Sequence, residues 1–237
     1  AVTVLTITAC APPKAAQTGV ITVGDTAAGP TAHAPLTINL DRDADADVWS
    51  ALHVLEDGSR PVPIAVDGSR FTLTFPGGPA HLEFIDVMGK TYTKGDYHTT
   101  APDGTPATLP VFLTPELPPE SRLDTPTLPE IDGTWTLVLA DGSSLRAVLR
   151  PRVQGPLDVD IDLPGDGPPR LVGPAAPRGR NVPVAALPAD VVGVFSAGAF
   201  DGITPVAIQG RVLADGSLRG HAMVGAWWNA SFAATRR

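Results

Sequence analysis

Apolar and polar residues alternate with period two in LTINL (36–40), FTLTF (71–75) and LDVDIDL (157–163). This is the pattern of strands that set one face on a core and the other in water. Similar alternation, or short apolar runs bounded by turn residues, predicts N-terminal strands over 19–23, 36–40, 48–55, 62–66, 71–75, 82–88 and 91–97. The C-terminal candidates are 133–139, 145–150, 157–163, 182–186, 191–200, 206–213, 218–224 and 227–235. No apolar stripe at helical spacing interrupts them, so the chain reads as all-β.

The turns between these runs share a chemistry. Asp57-Gly58-Ser59, Asp67-Gly68-Ser69, Asp141-Gly142-Ser143 and Asp215-Gly216-Ser217 each place Asp-Gly between apolar segments. That dipeptide supplies the positive backbone angles a tight hairpin needs. Two copies extend further, since VLADGSSLRAVL (138–149) echoes VLADGSLRGHAM (212–223), and predict equivalent hairpins in the C-terminal half. The N-terminal half, residues 19–100, is expected as an immunoglobulin- or fibronectin-like sandwich with Trp49 in its core. Residues 131–237 are expected as an antiparallel sandwich or small barrel. Between them, residues 101–130 carry closely spaced prolines that predict an extended connector, and the segment 164–180 reads as a crossover or functional loop.

The composition narrows the classes of function. A net charge of −8 over 237 residues argues against a nucleic-acid partner, whose phosphates call for clustered Lys and Arg. A single cysteine excludes an internal disulfide. No apolar run is long enough for a membrane-spanning helix. Motifs for nucleophilic elbows, zinc proteases, phosphate loops and dinucleotides are absent, which points away from an enzyme.

The stretch AVTVLTITA (1–9) is uncharged and ends in small residues just before Cys10, as the later part of a secretory apolar region does. The tetrad Ile7-Thr8-Ala9-Cys10 resembles the lipobox of bacterial lipoproteins. That resemblance implies cleavage before Cys10, lipidation of Cys10, a membrane anchor in the bacterial cell envelope and, with Ala11 following, sorting to the outer membrane. Residues 1–18 would then be a signal remnant and tether. Alternatively, residues 1–9 form a first strand with Cys10 buried. On the lipoprotein reading the protein is a non-catalytic accessory or scaffold subunit whose partners are other envelope proteins, docked by strand edges. A barrel interior holding an apolar ligand is a second expectation.

Several constellations carry candidate chemistry. Asp41, Asp43 and Asp45, with Asp47, have the close carboxylate spacing of a calcium loop, but Ala46 and Leu52 depart from the EF-hand pattern and favour a solvated turn. Asp158, Asp160 and Asp162 fall on one face of an amphipathic strand. His221 and Met223 lie two residues apart on one strand face, a donor pair suited to soft copper(I), with His81 and Met88 as further candidate ligands. Copper binding or copper-dependent redox chemistry is therefore a third expectation, although the His-x-His cluster of copper-zinc superoxide dismutases is missing. Trp227 is a candidate contact for a partner.

Overall fold

A computed structural model describes residues 15–24, 29–43, 46, 48–55, 57–76, 78–85, 93–114, 131–150, 157–163, 170–173, 175–176 and 189–236. Cys10, Asp45, Met88 and the expected strand at 182–186 lie outside them. The all-β expectation holds, with no helix among the described residues. None is therefore long and apolar enough to cross a membrane.

The first sheet comprises β1 (Ala15–Val23), β2 (Ala32–Asp43), β3 (Val48–Leu55), β4 (Gly58–Val62), β5 (Ile64–Asp67), β6 (Arg70–Thr74), β7 (His81–Ile85), β8 (Thr93–Thr100) and β9 (Pro106–Thr114). Its order is β4-β3-β2-β1-β9-β8-β7-β6-β5, antiparallel throughout. The two edge strands, β4 and β5, are consecutive in the chain and separated only by Pro63, so the sheet must curl until its ends nearly meet. Pro63 cannot donate a ladder hydrogen bond, which breaks what reads in the sequence as a single strand. Its carbonyl accepts from the Thr74 backbone N–H at 3.0 Å, tying the break to the end of β6. The result is a barrel-like meander, where the alternation alone suggested a sandwich.

The second sheet repeats the plan. It comprises β10 (Gly133–Leu139), β11 (Ser144–Arg150), β12 (Leu157–Ile161), β13 (Arg170–Gly173), β14 (Ala175–Ala176), β15 (Val191–Phe200), β16 (Pro205–Leu213), β17 (Leu218–Val224) and β18 (Trp228–Arg236). The order β13-β12-β11-β10-β18-β17-β16-β15-β14 is that of the first sheet shifted by one half, and a β13–β15 pairing at Val172 and Gly198 closes it. The two halves are thus copies of one topology. Three expectations change here. Residues 15–18, expected as the end of a tether, begin strand β1 and pair with β2. Residues 106–114 are strand β9 and not connector, and the loop expected at 164–180 contributes β13 and β14. Pro110 is tolerated because the ladder between β1 and β9 covers only Val111 to Thr114.

The four Asp-Gly turns join β3–β4, β5–β6, β10–β11 and β16–β17. At the two echoing copies the Asp141 and Asp215 carboxylates each accept from the backbone N–H and the hydroxyl of the serine two residues on, at 2.9 and 2.6 Å in both. Gly142 and Gly216 have φ of 83° and 80°, which explains glycine there.

Inward-facing residues form two cores. In the second, Trp135 is buried and its indole N–H donates to the Ile131 carbonyl at 2.8 Å. The rings of Phe195 and Phe232 lie over Gly210 and Gly220, their direct partners on the neighbouring strands, and belong to this core. The first core draws Phe200, Ala207 and Met223 from the second half. Gly198, Ala207 and Met223 are cross-strand neighbours on the outer face of β15–β16–β17, and β1 and β2 lie on that face. Gly24 donates its backbone N–H to the Gly225 carbonyl at 2.8 Å, and the Tyr97 hydroxyl donates to the Ile203 carbonyl at 2.7 Å. The halves therefore share one apolar junction.

His53 sits in that junction, with the rings of Phe75 and Phe200 at 5.4 and 5.3 Å. Burial lowers its pKa from 6.5 to about 4; the Asp201 carboxylate opposes this by favouring the charged ring, and the Arg60 guanidinium adds a smaller push downward. The unfolded chain then takes up the proton first as pH falls. Stability is complete above about pH 6.5 and is lost towards pH 4, with a slope approaching about 1.4 kcal/mol per pH unit from this group. His53→Phe should flatten that part of the profile in urea unfolding between pH 7 and 4.5; an unchanged slope would assign it to other groups, such as His33, whose pKa burial also lowers.

Candidate metal centre

Period two builds the site on the outer surface of the first sheet. On β7, Leu82 and Phe84 enter the core, so His81 and Glu83 face out. On β8, Tyr97 and Thr99 enter the core, so Asp96 and His98 face out. The register sets His81 directly opposite His98 and Glu83 directly opposite Asp96.

The two imidazoles stack, with centroids 4.7 Å apart and planes at 24°. One ligand-type atom from each of His81, Glu83 and His98 lies within 4.8 Å of the others, the one such trio among the described residues. His81 Nδ1 is 3.2 Å from the Pro79 carbonyl, which can only accept, so Nδ1 is the donor there and Nε2 is the ring nitrogen turned toward Glu83. His98 Nδ1 is 3.2 Å from the Thr108 hydroxyl on β9. Each ring is thus oriented through Nδ1, the arrangement by which outer partners fix ligating histidines. His81 Nε2 lies 3.5 Å from Glu83 Oε1, and the other Glu83 oxygen receives Arg70 Nη1 at 3.4 Å. A tetrahedral ion with bonds near 2.0–2.1 Å spaces its ligands about 3.3 Å apart, within reach of side-chain adjustment from these positions. Two imidazoles and a carboxylate suit borderline divalent ions such as zinc, nickel or copper(II).

The residues singled out in the sequence fare differently. His81 is in the trio, whereas Glu83 and His98 were not singled out from the sequence. The His-x-Glu spacing on a strand was a usable signal for Glu83, but only the register brings in His98. The soft copper pair shares one face of β17, in different surroundings: Met223 is fully buried in the first core beside Gly24, while half-buried His221 sets Nδ1 3.1 Å from the Asn229 side-chain oxygen. Spacing alone treats the outer face of β17 as solvent-facing, but the first half covers it at Met223. Asp41 and Asp43 lie at the end of β2, and Asp43 accepts from the Ala46 N–H at 3.0 Å, a turn contact. Trp227 is half-buried, its ring against Gly225 and the second core.

No protein-family model matches the chain, and no curated protein does. A solved structure from Nostoc punctiforme, of a protein with unknown function from the DUF3598 family, aligns over 93% of this chain and 94% of that chain. The identity is 10% and the TM-score 0.27, a likeness too weak to inform fold or function.

Proposed function

We propose that this protein is a non-catalytic metal-binding β protein that holds one divalent transition-metal ion on its first half. The ligands are His81 Nε2, His98 Nε2 and the Glu83 carboxylate. The observation that supports this reading is the cross-strand placement of two stacked imidazoles, each oriented through Nδ1, beside a carboxylate. Side chains that are about one-third exposed at His81 and Glu83 leave the site open to ion exchange with solvent. The contiguous cluster of buried apolar side chains in the second half favours a structural core there over an apolar-ligand chamber.

Calorimetric titration with zinc should show one equivalent bound per chain. His98→Ala should weaken binding by more than about 100-fold, since loss of even an outer partner of a ligand costs 10–100-fold. Absence of binding by the unaltered protein, or equal affinity in the variant, overturns the reading. The lipobox-like tetrad ending at Cys10 supports an envelope address for this activity. A lipid-bearing peptide beginning at Cys10 from native membranes is the expected mass, and an unmodified one contradicts it.

A further inference from the structure

Building on that metal-binding reading, we infer that Asp96 is the fourth ligand and that Arg70 is the cation the metal displaces from Glu83. Residues 81, 83, 96 and 98 mark the corners of one rectangle on the outer face of β7 and β8. Directly opposed side chains on antiparallel strands have Cβ atoms about 4.5–5.5 Å apart. The Asp96 carboxylate stands outside the group of atoms within 4.8 Å of one another, so it joins the site by a rotation of its side chain toward the ion that Glu83 holds. It also shares a strand face with His98, two residues on.

The charges favour this assignment. Opposed carboxylates repel, and a cation between them removes the cost. Among the described residues Arg70 pairs with Glu83 alone, at 3.4 Å and largely exposed. Lys94, the nearest cation along β8, sets its ammonium 5.5 Å from the centroid of the Phe112 ring. Exposed Asp96 has neither an ion pair nor a hydrogen bond among the described residues. Two carboxylates balance a divalent ion, and with two imidazoles they complete the four-coordinate set that zinc adopts in closed sites. Such a site stores or carries its ion and leaves no position open for a substrate. Loading requires Glu83 to exchange Arg70 for the metal, so the arginine competes with the ion.

Cobalt(II), titrated into the full chain and followed by calorimetry and visible absorption, tests the assignment. Tetrahedral cobalt absorbs strongly because it lacks a centre of symmetry, and this band is expected in the unaltered protein. Asp96→Asn should weaken binding about tenfold or more and reduce the band as water enters. Arg70→Gln should strengthen binding about two- to fivefold, the size of an exposed ion pair. Both sites are on the surface, and unchanged unfolding midpoints without metal would show that the fold is intact. Unaltered affinity and spectrum in Asp96→Asn overturn the fourth ligand while leaving the His81–Glu83–His98 site standing. Failure of the unaltered protein to bind cobalt or zinc removes both.

Discussion

Phe200→Ala is expected to destabilise the whole protein by about 3–5 kcal/mol, the range for deleting a large buried aromatic ring. Phe200 belongs to the second sheet by sequence, at the end of β15, yet only 5% of it is exposed and it packs in the core of the first. Its ring lies 5.1 Å from Phe75, 5.0 Å from Tyr97 and 5.3 Å from His53. These neighbours are fixed on β3, β8 and the end of β6, so collapse into the space is limited. The loss should appear in urea unfolding as one transition at lower midpoint, with faster hydrogen exchange in β3 and β8. A cost below about 1 kcal/mol, or exchange changes confined to the second half, would show that Phe200 is not a shared core residue.

Gly198→Val should cost about 3 kcal/mol or more, the upper end for overpacking a close-packed contact. A Cβ at Gly198 would stand 2.2 Å from the His33 carbonyl oxygen and 2.8 Å from the Ala34 Cα. Both are backbone atoms of β2, so no rotamer relieves the clash and the halves must separate locally. Gly216→Ala is the comparison: its φ is 80° but nothing lies within 4 Å of an added Cβ, so its cost is limited to about 1–2 kcal/mol of backbone strain. Thermal unfolding of the two variants should therefore differ clearly. A Gly198→Val protein within about 1 kcal/mol of the original would mean that β2 and β15 do not meet.

What could be read from the sequence was local. The Asp-Gly turns needed only two residues and their flanks, and the echo between 138–149 and 212–223 correctly marked two hairpins. Closure of each sheet was not legible, because it depends on a strand whose two parts pair with different neighbours. Residues 62–66 looked continuous, yet Pro63 separates two edges. Residues 106–114 were hidden by their prolines, whose tolerance depends on where the ladder from β1 stops. The same division holds at the site. Glu83 follows His81 at strand spacing, but the partner on β8 is set by register, which the intervening residues do not encode in any local pattern. The burial of Met223 was not legible for a related reason: the first half covers it from more than a hundred residues away in the chain.

Nitrogen-15 NMR of the five histidines during zinc titration tests the metal site most directly. The account predicts that Nε2 of His81 and of His98 shift together and saturate at one equivalent, while His33, His53 and His221 stay in place. Shifts at His221, or no coupled change at His81 and His98, would contradict it.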